Sequence, residues 1–265
     1  MSIWFIGGGA MAEAMINGIL NAKILSPDEI GVSELIESRR SYLSEQYGVK
    51  AVDGYKGLSA VKIVVLAVKP QTAKIVMSDV SSLINSQQAI ISIMAGINIE
   101  TLVASLDHKA VIRVMPNTPA QIGSGVSVWT ATPQVVSSSL KQAQNIIGSF
   151  GEEIYVDDEK TIDMATGISG CGPGYVFLFI EALIDAGVNI GLSRELSRTL
   201  VLQTVLGSAE LLRESGMHPG QLKDLVTSPA GATIAGLSSL EQAGFRGTVI
   251  HAVNSAYQKT KLLGD

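Results

Sequence analysis

The chain has 265 residues, enough for one large domain or two of ordinary size. Hydrophobic residues make up 46% and charged residues only 16%, below the usual quarter, so a sizeable core can form and some surface has to be hidden against another subunit. The net charge of −5, with Arg39-Arg40 as the nearest approach to a basic block, makes nucleic acid and anionic membranes poor partners.

One cysteine, Cys171, excludes an intrachain disulfide and fits a reducing compartment. The N-terminal MSIWFIGGG has neither a basic n-region nor a cleavage site, so no signal peptide is read and a cytoplasmic protein is expected. The most apolar segment, Tyr175 to Leu192, is interrupted by Glu181, Asp185 and Asn189, which argues against a membrane span. Five Phe, six Tyr and two Trp leave the core to aliphatic residues.

In chain order, Ile3 to Ile6 is a short apolar run and reads as a buried strand. Gly7-Gly8-Gly9 follows, then a helix from Ala10 to Asn21 with Met11, Met15, Ile16 and Ile19 on one side. A turn at Ser26 to Glu29 leads to a strand over Ile30 to Ser33, and Arg39 to Tyr47 reads as a helix ended by Gly48. Ile63 to Val68 is a strong strand stopped by Pro70. Ala89 to Met94 and Val111 to Met115 are further strands, with weaker ones at Gly125 to Trp129 and Glu153 to Val156. Strands separated by helical stretches imply a doubly wound parallel sheet with helices on both faces.

From about Ile162 no strand is apparent. Tyr175 to Gly187, Arg194 to Glu214 and Phe245 to Leu263 read as helices with wide apolar faces. Gly191 and Gly216 stand at helix ends, Ser193 at a cap position and Pro219 at a helix start. The expected domains are therefore 1–158, a Rossmann-type dinucleotide-binding domain, and 159–265, all helical. A helical half this apolar implies a dimer or larger oligomer.

Ile6-Gly7-Gly8-Gly9-Ala10-Met11-Ala12 matches Gly-x-Gly-x-x-Ala directly between a strand and a helix. Gly7 allows the tight turn, Gly9 lets backbone approach a pyrophosphate, and Ala12 lets the helix pack close to the strand. The helix start offers N–H groups and a positive dipole end to phosphates. No Gly-Lys-Ser/Thr follows, which excludes a Walker-type loop. At the end of the second strand, Glu34 favours the ribose hydroxyls of NAD, while Ser33, Arg39 and Arg40 favour the 2′-phosphate of NADP; the residues alone leave both open.

Val68-Lys69-Pro70 and Met94-Ala95-Gly96 close strands at the edge where ligands bind in such sheets. Met115 to Pro119 is a loop stiffened by two prolines, with Asn117 as an amide donor. Ser169 to Gly174 is a small-residue stretch permitting close approach, and Cys171 reads there as a packed residue rather than a nucleophile. Thr227 to Thr233, rich in hydroxyls and small residues before a helix, is a seat for a carboxylate. His108, His218 and His251 show no ligand spacing, so no metal is expected.

Taken together, these strings resemble the pyrroline-5-carboxylate reductase family over essentially the whole chain. The matching pieces are Phe5 to Ala12, Ala67 to Gln71, Ser92 to Gly96, Arg113 to Pro119, Gly167 to Phe177 and, the most specific, Asp224 to Leu237. The resemblance implies a Rossmann domain followed by an all-helical dimerisation domain. Its helices interlock in a homodimer, and dimers assemble further, up to decamers. The implied reaction is reduction of the cyclic imine 1-pyrroline-5-carboxylate to L-proline with NADP(H), or NAD(H) as the alternative.

By the same resemblance, Gly7, Gly8, Gly9, Ala10, Met11, Ala12, Ser33, Ala67, Val68, Lys69, Pro70, Ile93, Met94 and Ala95 line the cofactor. Glu34 and Arg39 stand at its adenosine end. Ser228, Gly231, Ala232 and Thr233 hold the substrate carboxylate and ring nitrogen from a partner subunit's helical domain or beside its interface, with Asn117 as a further substrate-binding residue and Thr233 as the catalytic hydroxyl.

The chain departs from the family pattern at four places. Pro173-Gly174-Tyr175 replaces Pro-Ala-Tyr, and Pro229-Ala230-Gly231 replaces Pro-Gly-Gly, both small-for-small changes expected to preserve close approach. A family Asn is replaced around Asp53-Gly54, and Glu34 stands where NADP users often carry a neutral residue; these bear on cofactor preference. The rival readings are a 3-hydroxyacid dehydrogenase or imine reductase, whose interdomain helix would carry a Lys that Tyr175 to Asn189 lacks, and a dinucleotide-binding regulator without turnover.

Overall fold

The computed structural model describes residues 2–263. The elements of the sheet region run β1 (Ile3–Ile6), α1 (Ala10–Asn21), β2 (Ile30–Ser33), α2 (Glu37–Tyr47), β3 (Lys50–Val52), β4 (Ile63–Leu66), α3 (Pro70–Val80), β5 (Ala89–Ser92), α4 (Ile99–Leu106), β6 (Val111–Met115), β7 (Gly125–Ala131), α5 (Ser137–Gly148), β8 (Gly151–Tyr155) and α6 (Lys160–Ala165). The central strands β1 and β4 are apolar throughout and β5 is apolar up to its last residue, Ser92; all three are buried, as strands covered by helices on either side must be.

The strands form one sheet in the order β3-β2-β1-β4-β5-β6-β7-β8. Its first six follow the 3-2-1-4-5-6 arrangement of the dinucleotide-binding fold. All neighbours are parallel except β6 and β7, which pair antiparallel. The expected doubly wound parallel sheet is present, with β7 and β8 running opposite to the first six strands. Residues 116–124 are too few for a crossover, which takes a dozen or more, so the chain turns back beside its own strand.

Two cores lie on the two faces of the sheet. Phe5, Met15, Ile16, Ile19, Leu43 and Phe150 belong to one, and Trp4, Leu58, Leu66, Met77, Leu102 and Leu106 to the other. Side chains of β1 alternate between them, since Ile3 and Phe5 enter the first and Trp4 and Ile6 the second. Trp4 lies against Gly31 of the neighbouring strand so closely that any Cβ there would overlap its ring.

Several boundaries differ from expectation. Pro70 does not end a strand; β4 stops at Leu66, and Pro70 opens α3, where its missing N–H costs nothing. The three-residue β3 sits at the sheet edge beside β2 and is too short for its period to show in sequence.

The compact units divide later than the expected 158/159. One holds the chain up to Cys171 together with the end of the last helix from Ser255; the other is Gly172–Asn254. Residues 159–171 stay with the sheet because Arg113 of β6, 3% exposed, binds Glu159 at 2.7 Å and Asp163 at 2.6 Å. Ile162 and Thr166 are buried beside that cluster.

The second unit contains α7 (Gly172–Asn189), α8 (Arg194–Ser215), α9 (Pro219–Leu225) and α10 (Ala232–Gln242), and begins α11 (Phe245–Leu263). Its caps form as the punctuation implies. Ser193 Oγ accepts the Leu196 N–H, and Gly216 adopts the left-handed conformation after α8. Gly187 lets α7 approach Ser197 of α8, where a Cβ would fall 2.6 Å from its Oγ.

Candidate functional site

The strand register assembles the site. Ile6 pairs with Ser33 and with Leu66, and Leu66 pairs with Ser92. The residues that follow each strand, Gly7, Glu34, Ala67 and Ile93, therefore stand in a row at the carboxyl edge of the sheet. The ladder continues one step beyond the strands: the Gly7 N–H donates to the Ser33 carbonyl at 2.8 Å and the Ala67 N–H to the Ile6 carbonyl at 2.9 Å.

Gly7 turns at φ +98°, a conformation favouring glycine, and packs against the Ala67 carbonyl. Gly8 is buried against Leu43. Gly9 is exposed, with no atom within 4 Å of where its Cβ would be. It is also the N-cap of α1, and no side chain caps that helix start. An exposed glycine before an uncapped twelve-residue helix is what an approaching diphosphate requires.

A cleft opens on either side of this turn. One, of about 370 Å³, is lined by Gly9, Ala10, Met11, Ala67, Val68 and Lys69, and across from them by Ile93, Asn117 and Gly170. The other, of about 330 Å³, is lined by Gly7, Ser33, Glu34, Gly54, Tyr55 and Asp79, among others. Val68 borders both. The two clefts and the glycine turn lie at the carboxyl ends of the strands, where a dinucleotide binds in this fold.

Within this frame several expected residues have other partners. Ala12 and Met94 are buried in the two cores. Ser33 is 4% exposed, and its hydroxyl accepts from Trp4 Nε1 and donates to the Gly54 carbonyl, both at 2.8 Å. Glu34 Oε2 accepts the Gly8 N–H and Oε1 the Ile36 N–H, each at 2.9 Å. Arg39 lines neither cleft; its Nε donates to the Gly8 carbonyl and its Nη2 pairs with Glu13. Pro70 and Ala95 stand beside the cleft residues Lys69 and Ile93 without lining the cleft themselves.

Glu13 lies in the first turn of α1 and receives three side-chain donors, Arg39, Tyr42 and Tyr47. Partial burial pushes its carboxyl up, but the hydrogen bonds and the Arg39 charge outweigh that and hold it below the ordinary 4.5. The Tyr47 phenol is pushed up by burial and by the carboxylate it serves. Tyr55, in the second cleft, is raised by burial and by Asp79.

Asn117 reaches the first cleft, and its Oδ1 accepts the Val126 N–H at 2.9 Å, which leaves the Nδ2 end as the donor. Gly170 belongs to a π turn, Thr166–Gly170, and lies so near Met115 that a Cβ would fall 2.9 Å from its Cε. The cleft residues absent from the sequence reading are Leu35, Tyr55, Thr72, Val76 and Asp79, while Gly54 and Gly170 entered it only within Asp53-Gly54 and the small-residue stretch Ser169 to Gly174. Their signal was positional: Gly54 and Tyr55 follow β3, and Thr72 and Val76 lie on the helix that Pro70 starts.

Ser228, Gly231, Ala232 and Thr233 lie on the second unit. The loop between α9 and α10 is tied by Thr227 Oγ1 to the Lys223 carbonyl and by the Gly231 N–H to the Ser228 carbonyl. Gly231 is the N-cap of α10 without a side-chain cap, and Ser228 and Thr233 are exposed. Ser228 packs on Gly231 so that no Cβ fits there. Ala230 has φ +57°, in the left-handed region. The exchange of the family's Gly for Ala230 is thus small in volume but adds backbone strain.

Among the described residues, no group of three or more His, Cys, Asp or Glu is placed to hold a metal.

Comparison with known proteins identifies the family. The family model for pyrroline-5-carboxylate reductase dimerisation matches residues 159–263, and that for NADP oxidoreductase, coenzyme F420-dependent, matches residues 2–96. A pyrroline-5-carboxylate reductase of Synechocystis is 42% identical over 100% of this chain and 98% of its own length. One of Methanosarcina acetivorans is 40% identical over 99% and 97%. The crystal structure of a Plasmodium falciparum pyrroline carboxylate reductase with NADP bound superposes with a TM-score of 0.91 at 38% identity, covering 100% of this chain and 98% of that one. The chain belongs to the pyrroline-5-carboxylate reductase family.

Proposed function

We propose that this chain reduces 1-pyrroline-5-carboxylate to L-proline. The carrying observation is the end-to-end likeness to reductases of that name, 42% identical in Synechocystis over the full chain. The cofactor proposed is NADP(H), with NAD(H) as the alternative. The reduced nicotinamide, when bound, supplies a hydride to the carbon of the ring C=N bond, and the electron pair of that bond settles on the protonated nitrogen.

The protein's share is positioning. Gly9 and the first N–H groups of α1 receive the diphosphate. Ala67, Val68 and Ile93 line the cleft on the nicotinamide side, and Asn117 offers its amide there. Ser228, Gly231 and Ala232 bind the substrate carboxylate at the start of α10, and the Thr233 hydroxyl holds the ring nitrogen and its proton. A protonated cyclic imine is already electrophilic, which fits a site without a paired acid and base.

The assembly proposed is a homodimer, built further up to a decamer, located in the cytoplasm. The helical stretch Lys160–Asn189 is long and apolar enough by composition to cross a membrane. Exposed leucines on α8 and α10 as well argue for subunit contacts instead.

The test is NAD(P)H oxidation with 1-pyrroline-5-carboxylate and detection of proline. Absence of oxidation with both nucleotides would overturn the proposal, and an equal rate with a 3-hydroxyacid would favour the dehydrogenase reading.

A further inference from the structure

Beyond the glycine turn and Ala67 to Lys69, the first cleft is lined by three stretches of chain. Ile93 follows β5, Met115 and Asn117 stand at and after the end of β6, and Gly170 ends the π turn that follows α6. These stretches are far apart in sequence, and the shape of the cleft depends on how they are held to one another.

All three lead back to one side chain. Arg113 interrupts the apolar run of β6 and is 3% exposed. Its own strand runs on into Met115 and Asn117. Its Nη1 donates to Glu159 Oε1 at 2.7 Å, and the same oxygen accepts the Ile99 N–H at 2.7 Å. Ile99 opens α4, so Glu159 pins the far end of the loop that Ile93 begins. The near end of that loop, Ser92, is the residue that pairs with Arg113 in the sheet. Arg113 Nη2 donates to Asp163 Oδ1 at 2.6 Å, and Asp163 lies on α6, which runs on into Gly170. Gly170 in turn packs against Met115.

None of Arg113, Glu159 and Asp163 lines the cleft itself. Apolar residues of similar volume often hold a fold as well as a buried ion cluster does. What the guanidinium adds is direction, because its planar fork fixes two acceptors at set angles.

We infer that Arg113, Glu159 and Asp163 form a positioning cluster for hydride transfer, setting the walls between which the nicotinamide and the imine meet. This rests on the reductase reading and deepens it. A misplacement of about 1 Å between reacting groups can cost about a hundredfold in rate. The bonds of the cluster reach neither the glycine turn nor the second cleft, so the diphosphate and adenosine half is held independently of it.

The experiment uses Glu159→Ala and Asp163→Asn in the full chain. Each alters a carboxylate at the partly exposed edge of the cluster and leaves Arg113 the other. Well below the melting temperature, each should lower kcat with 1-pyrroline-5-carboxylate by about tenfold to a hundredfold. The Kd of NADPH should stay within about twofold. The fluorescence of the bound reduced nicotinamide should change, since the surroundings of that ring are altered. Ile147→Ala, a core substitution on α5, which lines neither cleft, should lower the melting temperature with kcat unchanged.

Unchanged kcat and nicotinamide fluorescence in both cluster variants would overturn the inference and make the cluster a structural tie. A fall in NADPH affinity as large as the fall in kcat would overturn it too. A wild type that binds NADPH but does not oxidise it with 1-pyrroline-5-carboxylate would overturn the reductase reading instead, and the fluorescence of the variants would still decide the positioning role.

Discussion

A methyl group added at Gly7 would sit 2.7 Å from the Ala67 carbonyl oxygen at a φ of +98°, whereas one added at Gly9 would meet nothing within 4 Å. The two substitutions should therefore fail differently. Gly7→Ala is expected to destabilise the fold by about 1–2 kcal/mol from the left-handed conformation alone. Gly9→Ala should keep the wild-type melting temperature and lower nucleotide affinity by about tenfold, near 1.4 kcal/mol. Unchanged affinity in Gly9→Ala would place the diphosphate elsewhere. Ala230, at φ +57°, makes the opposite case. Ala230→Gly should raise stability in thermal unfolding by about 1 kcal/mol, the relieved strain exceeding the entropy gained by the unfolded chain. Thr233→Ala should lower kcat/KM about tenfold or more with unaltered folding, as expected for a lost hydrogen bond to a charged group of about 1.5–3 kcal/mol. Unchanged kinetics would remove Thr233 from the mechanism.

At the level of elements, the glycine turn is braced from α2. Arg39, Tyr42 and Tyr47 all reach Glu13 on α1, and Arg39 also holds Gly8. Because the Glu13 carboxyl titrates lower folded than its ordinary 4.5, its stabilising effect is complete above that value and is lost as pH falls through the lowered one. Glu13→Gln should accordingly flatten the acid limb of stability, read from urea unfolding between about pH 7 and about pH 3. An acid limb as steep as the wild type's would show that Glu13 carries none of it. Elements differed in how far the sequence revealed them. β1, α1, β2 and β6 were legible to the residue because apolar runs ended at glycines or at polar residues. β3, with three residues, and α4, with eight, are too short for a period to stand out. The reversal of β7 lay in a loop length, and the π turn at Thr166–Gly170 left no mark beyond a richness in small residues.

For the whole molecule, the second unit is the informative part. Of residues 172–254, Ser197 alone is buried, while Phe177, Leu178, Leu200, Leu206 and Ile250 are each at least half exposed. A helical unit that buries so little by itself requires a partner surface, as the dimerisation family implies. Sedimentation should show a dimer or larger species. Leu178→Asp should shift it to monomer and abolish most activity, because a buried unpaired charge costs several kcal/mol at an interface. A Leu178→Asp chain that sediments like the wild type would show that this face of α7 is free.

The sequence by itself determined the two-part plan, the glycine turn and the family, because these depend on local features: apolar runs, glycine spacing, caps and ordered motifs. Tertiary structure decided what each polar side chain near the turn does. Arg39 and Glu34 are both close to Gly8 along any plausible strand path, and nothing in their order says which one faces the cleft. That choice depends on Glu13, contributed by α1, whose carboxylate pairs with the guanidinium while Tyr42 and Tyr47 of Arg39's own helix donate to the same carboxylate, and the Glu34 carboxylate is left beside the cleft.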